Sequence, residues 1–220
     1  MTAVAAVLFD MDGTLLDSER LWDISLSELS ERLGGPLTTQ TRQRVIGGEL
    51  SQTVRIIHRS LGLDADGEDE SARWLLNRTA ELFATQAQWM PNALELVAQV
   101  RQSELATALV TSSSRILVNA VLTTEIARMF DAVVSVDDVR NPKPHPEPYL
   151  MAAAQLSVAP GHCVALEDSV RGAAAARAAG CAVVAVGSEL LPTVDADIVV
   201  PSLAAVSVEM LRDLGTMAPS

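Results

Sequence analysis

Cysteines, basic residues and long apolar runs are all scarce in this 220-residue chain. Its two cysteines, Cys163 and Cys181, are too few for a disulfide framework, and we expect both to be buried free thiols. No run approaches the roughly 18 apolar residues of a transmembrane helix, and the N-terminus lacks a signal-peptide pattern. We therefore expect a cytoplasmic protein that does not bind membranes.

Positive charge is the second scarcity. Lysine and arginine number 16 against 28 aspartates and glutamates, and the net charge is −12. No basic stripe is present to neutralise nucleic-acid phosphates, so the charge argues against a nucleic-acid partner. A small anionic ligand remains compatible with this charge if cationic groups, backbone N–H donors or metal ions converge locally.

Residues 4–14 carry the strongest local signal. Six apolar residues run directly into Asp10 and Asp12, and Gly13 and Thr14 follow. A short apolar run that ends in a glycine turn is typical of a strand buried on both faces of a parallel sheet. Ligands collect at the carboxyl ends of such strands, so this stretch predicts a nucleophile, an acid/base group and a divalent metal site.

The rest of the chain falls into two patterns. Hydrophobic periodicity predicts helices over residues 15–33, 39–46, 52–61 and 71–83, with no convincing strand before about residue 88. After Pro91, helices (92–102, 114–128, 146–156, 169–179, 203–214) alternate with strands (105–110, 132–135, 163–166, 181–186, 198–200). This alternation predicts a Rossmann-like, doubly wound α/β fold. The expected domains are an α/β catalytic core (residues 1–15 and 89–220) and an inserted all-helical cap (residues 16–88).

Polar residues follow each of the first four predicted core strands. In chain order they are Asp10 and Asp12, then Thr111-Ser112-Ser113, then Lys143 in the loop after the third strand, then Glu167-Asp168. Each cluster alone also suits a turn, a helix N-cap or a solvated loop. Because the carboxyl ends of parallel strands share one edge, one crevice explains all four clusters more economically.

The residue types favour phosphoryl transfer over acyl transfer. A carboxylate such as Asp10 can attack phosphorus to give an aspartyl phosphate. Mg²⁺ prefers oxygen ligands, which suits Asp10 and Asp168. Lys143 and Thr111 would neutralise and orient the remaining phosphate oxygens. Asp12 is left to protonate the departing alcohol and later to deprotonate the attacking water.

These motifs resemble a known family. Asp10-Met11-Asp12-Gly13-Thr14, Thr111, Lys143-Pro144 and Glu167-Asp168 are similar to the four motifs of the haloacid dehalogenase superfamily. The position of the helical insert resembles the subgroup of β-phosphoglucomutase and small sugar-phosphate phosphatases. The segments around Glu19, Lys143 and Glu167 are especially similar to bacterial hexitol and 2-deoxyglucose-6-phosphate phosphatases. Dehalogenase members lack the second aspartate of the opening motif, so Asp12 favours phosphorus chemistry.

The resemblance implies a Mg²⁺-dependent phosphatase that hydrolyses a small sugar or polyol phosphate through an aspartyl phosphate on Asp10. It implies that Asp12 is the general acid/base and that a closing cap sets specificity. The implied metal ligands are Asp10, the Asp12 backbone carbonyl and Asp168, with Glu167 in support. The implied phosphate ligands are Thr111, the Ser112 backbone N–H and Lys143. The expected partner is a small-molecule phosphate ester, and the expected state is a monomer.

A β-phosphoglucomutase-like phosphomutase is the alternative. That enzyme carries a cap histidine aligned with Trp22 and a cap arginine near Leu50, and this chain has neither, which counts against a mutase. His58 either compensates or simply packs in its helix, and Trp22 either shapes the leaving-group pocket or packs at the hinge. Glu19 is a further candidate for substrate contact. A phosphoaspartate receiver is a third hypothesis, but receivers are much shorter and have no helical insert after the first strand.

Overall fold

The computed structural model describes residues 3–46, 48–187 and 194–214. The chain divides into two compact units, one of Met1–Asp17, Gln88–Val118 and Leu122–Ser220, the other of Ser18–Ala87 and Asn119–Val121. The assignment of residues 1–15 and 89–220 as a catalytic core and of residues 16–88 as a cap stays a prediction.

Strands and helices follow one another in a fixed order. The strands are β1 (Ala6–Phe9), β2 (Leu16–Asp17), β3 (Gln88–Trp89), β4 (Ala106–Val110), β5 (Ala132–Val134), β6 (Cys163–Glu167), β7 (Ala182–Val186) and β8 (Ile198–Val200). The helices are α1 (Glu19–Arg32), α2 (Thr39–Val45), α3 (Leu50–Ser60), α4 (Glu68–Gln86), α5 (Ala93–Gln102), α6 (Arg115–Val121), α7 (Thr124–Ala127), α8 (Glu147–Gln155), α9 (Val170–Ala179) and α10 (Val208–Leu214). Short 3₁₀ turns lie at Val136–Asp138, Pro160–His162 and Leu203–Ala205.

Six strands of the first unit form one parallel sheet in the order β5-β4-β1-β6-β7-β8. The chain goes from β1 to β4 and β5 on one side and then returns to β6 on the other, so the strand order reverses at β1. All four residues of β1 are buried, as predicted for a strand covered on both faces. This parallel sheet with flanking helices confirms the predicted α/β fold. The reversal beside β1 is where such sheets bind ligands.

Small side chains pack α8 and α9 onto the sheet. Alanines of both helices share one core cluster with Leu8 and Val110. Cys163 and Cys181 lie in the same cluster and are buried free thiols, as predicted. Because alanine lets a helix approach a sheet closely, side chains at the carboxyl edge are held by a densely packed support.

Residues 15–33 do not form one continuous helix, and the prediction of no strand before residue 88 is wrong. Helix α1 begins only at Glu19, while β2 pairs with β3 in a two-stranded antiparallel ribbon. The Met90 N–H also donates to the Leu15 carbonyl over 2.8 Å. Apolar spacing alone did not separate this strand from a first helical turn, because the pairing partner lies at the far end of the helical insert.

Two other predicted helices are interrupted. Residues 114–128 form α6 and α7, and the Thr123 hydroxyl accepts from the Ile126 N–H (3.4 Å) at the start of α7. Residues 203–214 form a 3₁₀ turn and α10, where the Ser207 hydroxyl accepts an N–H of the first turn (3.1 Å). Hydroxyl side chains compete for backbone donors and therefore favour helix starts over helix interiors.

The second unit is built from α1–α4 around its own apolar core. Trp22 packs edge-on against Phe83, with ring centroids 6.2 Å apart. His58 is buried, with Nε2 2.9 Å from the Ser71 hydroxyl and Nδ1 3.2 Å from the Asp64 carbonyl oxygen. Both ring nitrogens of His58 are thus engaged inside this unit. Among the helices of the described ranges, none combines the length and apolar character needed to cross a bilayer.

Candidate active site

Lys143 lies at the centre of a buried charge cluster. Its Nζ donates to Asp10 Oδ1 (2.6 Å), to Glu167 Oε1 (2.6 Å) and to the Val110 carbonyl oxygen (2.9 Å). These three bonds match the three donors of an ammonium group. Burial disfavours the charged form, but the Asp10 and Glu167 carboxylates outweigh burial and raise the pKa of Lys143. The lysine is therefore a fixed positive charge.

Asp10 and Asp168 are acidic groups whose ionised forms are disfavoured. Burial, followed by the negative charge of Glu167, raises the pKa of Asp10 well above its ordinary value, although Lys143 opposes this. Burial and Glu167 likewise raise the pKa of Asp168 to about 7. Carboxylates that destabilise one another in this way are stabilised by a bound cation.

Three carboxylates are close enough to share a metal ion. Asp10, Glu167 and Asp168 each offer an oxygen, and these oxygens lie within 4.8 Å of one another. Asp168 Oδ1 accepts from the Thr14 hydroxyl (3.3 Å), and a Cβ at Gly13 would lie only 2.0 Å from Asp168 Oδ2. Gly13 also has a φ of +82°, which favours glycine, so the opening motif makes room for Asp168.

Glu167 differs from the other two because protein donors occupy both of its oxygens. Oε1 accepts from Lys143 and from the Tyr149 hydroxyl (2.6 Å each), and Oε2 accepts from the Ser169 hydroxyl (2.9 Å). A Cβ at Gly172 would lie 1.8 Å from Oε1, so α9 approaches the carboxylate without a side chain between them. This arrangement suits Glu167 as a partner of Lys143 and leaves Asp10 and Asp168 as the better metal ligands.

Asp12 is held by two hydroxyls on one oxygen. Its Oδ2 accepts from Ser113 Oγ (2.7 Å) and from Thr111 Oγ1 (3.1 Å). Its Oδ1 is buried and has no hydrogen-bond partner within the described part of the chain. An unpaired buried carboxylate oxygen is costly, which is typical of a site built for a ligand or for proton transfer.

The structure brings the predicted site residues of the first unit into two clusters. Asp10, Lys143, Glu167 and Asp168 form one cluster, and Asp12 with Thr111 forms a second beside it. Ser112 is exposed next to Thr111. Glu19 and Trp22 lie in the helical unit, where Glu19 is exposed and pairs with Arg42 (3.7 Å) and Trp22 packs against Phe83. Their roles in catalysis and binding stay predictions.

Sequence reasoning missed the supports of Glu167 and one support of Asp12. Tyr149, Ser169 and Gly172 surround Glu167, and no signal in the sequence pointed to these contacts. Ser113 stood in the predicted hydroxyl cluster but received no role. Periodicity could not have identified these residues, because Tyr149, Ser169 and Ser113 each act through one hydroxyl and Gly172 acts by lacking a Cβ.

Several known proteins are similar to this chain in sequence or in fold. The family model "Haloacid dehalogenase-like hydrolase" matches residues 7–186. Hexitol phosphatase B of Escherichia coli (strain K12) is 32% identical over 178 residues, 80% of either chain. Beta-phosphoglucomutase of Bacillus subtilis (strain 168) is 27% identical over 214 residues, 94% of either chain. The crystal structure of CbbY from Rhodobacter sphaeroides in complex with phosphate has a TM-score of 0.81 at 25% identity, covering 94% of this chain and 99% of CbbY. The chain therefore belongs to the haloacid dehalogenase-like hydrolase family.

Proposed function

We propose that this chain is a Mg²⁺-dependent phosphatase that hydrolyses a small sugar or polyol phosphate through an aspartyl phosphate. At the coarser level it is a phosphoric monoester hydrolase. The observation that carries the finer proposal is the buried bridge from Lys143 to Asp10 and Glu167, with Asp12 held beside it. The relative named hexitol phosphatase B supports a phosphorylated polyol or sugar as the substrate class.

Asp10 is the proposed nucleophile. Lys143 orients its carboxylate through Oδ1, and the Asp10 carboxylate attacks phosphorus while the bond from phosphorus to the alcohol oxygen breaks. Asp12 gives a proton to the departing alcohol. It then takes a proton from the water that hydrolyses the aspartyl phosphate, which returns both carboxyl groups to their starting states.

Asp10, Asp168 and the Asp12 backbone carbonyl are the proposed Mg²⁺ ligands, because hard oxygen donors suit this ion. When bound, the ion supplies positive charge that allows an anionic nucleophile and an anionic phosphate to approach each other. Glu167 supports the site through Lys143. Thr111, the Ser112 backbone N–H and Lys143 are the proposed phosphate ligands, and Glu19 and Trp22 stay candidates for leaving-group contact.

A phosphate-release screen tests the proposal. Phosphorylated sugars and polyols are incubated with the protein and Mg²⁺, and we expect at least one to release inorganic phosphate. Asp10→Asn keeps the side-chain shape and should abolish release, whereas the matched Asp66→Asn change, at an exposed loop residue, should not affect it. No release from any substrate, or full activity of Asp10→Asn, would contradict the proposal.

The same screen addresses a phosphomutase. The beta-phosphoglucomutase relative, matched over 94% of both chains, keeps this second function open. A mutase would convert a hexose 1-phosphate to the 6-phosphate faster than it released inorganic phosphate. Dominant hydrolysis across the panel would exclude that alternative.

A further inference from the structure

Ser113 closes a small ring of hydrogen bonds around Asp12. It is 7% exposed and lies in the loop between β4 and α6. Its Oγ donates to Asp12 Oδ2 over 2.7 Å, and its N–H donates to Thr111 Oγ1 over 2.9 Å. Thr111 Oγ1 in turn donates to the same Asp12 oxygen over 3.1 Å. Ser113 is therefore coupled to both residues by hydrogen bonds.

The Thr111 hydroxyl has one proton to donate but two acceptors, Asp12 and the substrate phosphate of the proposed function. In the structure that proton goes to Asp12. The proposed function needs the same hydroxyl as a donor to the substrate phosphate, and one proton does not serve both acceptors. The proposed function does not require the Ser113 hydroxyl to donate to the phosphate, so its one proton can stay in the hydrogen bond to Asp12 (2.7 Å). The Val136 N–H donates to the Ser113 carbonyl (3.2 Å) and helps to hold the residue in place.

We infer that Ser113 is a positioning residue that keeps Asp12 in place when Thr111 turns to the phosphate. By holding Oδ2, Ser113 leaves Oδ1 as the oxygen that exchanges a proton with the alcohol and then with water. Oδ1 is the buried oxygen that lacks a partner within the described ranges. The inference rests on the proposed function, in which Asp12 is the general acid/base.

The test compares a poor leaving group with a good one. An alkyl phosphate such as glucitol 6-phosphate needs a proton on its departing oxygen, whereas p-nitrophenyl phosphate departs as a stable phenolate and does not. The ratio kcat/KM reports the first irreversible step, in which the alcohol leaves. Since a positioned general acid contributes about 10²–10⁴-fold, Ser113→Ala should lower kcat/KM for the alkyl phosphate by roughly 10-fold or more. The loss for p-nitrophenyl phosphate should stay below about 2-fold, because that reaction uses no general acid.

Ser113→Thr is the matched control because it keeps the hydroxyl donor. It should restore kcat/KM for the alkyl phosphate to within about 3-fold of the wild-type value if the hydrogen bond, and not the side-chain volume, carries the effect. Thermal melting shows whether each variant folds. If Ser113→Ala does not fold, Ser113→Cys replaces it, because a thiol is a weak donor and should show the same selective loss.

Two results would overturn the role of Ser113: equal losses for both substrates, as a structural role predicts, or a selective loss that persists in Ser113→Thr. Neither result touches the proposed function, because the wild-type protein would still release phosphate. Failure of the proposed function has a separate signature, namely no phosphate release by the wild-type protein from any substrate.

Discussion

Gly172→Ala should destabilise this protein although the same change stabilises most helices. In a helix interior, replacing glycine with alanine gains about 0.5–1 kcal/mol, because glycine loses more backbone freedom on folding. At Gly172 the added Cβ would lie 1.8–2.1 Å from three atoms of the Glu167 carboxyl group. Such distances are far inside van der Waals contact, so either α9 or Glu167 has to move.

The magnitude follows from what holds Glu167. Its carboxylate accepts from Tyr149 and Lys143 at 2.6 Å and from Ser169 at 2.9 Å. A hydrogen bond to a charged group contributes about 1.5–3 kcal/mol, and overfilling a packed site costs about 1–3 kcal/mol. Displacing the carboxylate weakens at least one of these bonds, so we expect a net loss of about 2–5 kcal/mol in the free energy of unfolding.

Thermal unfolding followed by circular dichroism measures the effect. For a chain of this size, 1 kcal/mol corresponds to about 2–4 °C, so Tm should fall by roughly 4–20 °C. Gly161→Ala is the matched control, since a Cβ there has nothing within 4 Å, and its Tm should stay unchanged or rise slightly. If Gly172→Ala melts at or above the temperature of Gly161→Ala, the reasoning about Glu167 is refuted.

Three further predictions concern a hydroxyl, a pH dependence and the metal. Tyr149→Phe removes the 2.6 Å donor to buried Glu167, so urea unfolding should show a loss of about 1.5–3 kcal/mol, and a loss below about 0.5 kcal/mol would contradict it. Burial alone would raise the pKa of Asp131, but hydrogen bonds from the Thr107 N–H and from Arg101 outweigh burial and lower it. The pKa of Asp131 is lower in the folded than in the unfolded protein. Its ionised form therefore stabilises the fold at pH values above the ordinary pKa of aspartate, and this stabilisation is lost as the pH falls. The Tm difference between wild type and Asp131→Asn should therefore be present at pH 7 and shrink below about pH 4, and a constant difference would refute the linkage. Chelation with EDTA should abolish phosphate release and added Mg²⁺ should restore it, whereas unchanged activity after chelation would exclude a metal requirement.

Much of the core and the residue types of the site could be predicted because their signals are local. The apolar run before Asp10 and the alternation of helices and strands report burial and periodicity, which a single chain carries in its own order. In a parallel sheet all carboxyl ends share one edge, so Asp10, Lys143 and Glu167 could be placed near one another from the sequence alone. The short strand β2 could not be predicted in this way, because its partner β3 lies beyond the whole helical insert.

The division of tasks among the site residues was decided only by the tertiary structure. The family resemblance implied that Glu167 supports a metal site, but only the folded chain shows that Lys143 and Tyr149 donate to its Oε1. Likewise, the sequence did not distinguish Ser113 from the neighbouring hydroxyls of Thr111 and Ser112. Only the folded chain shows that the Ser113 hydroxyl donates to Asp12 over 2.7 Å. A hydrogen bond forms only within a few tenths of an ångström and a narrow range of angles. The packing of strands and helices distant in the chain sets that geometry, whereas composition, spacing and periodicity set only which elements meet.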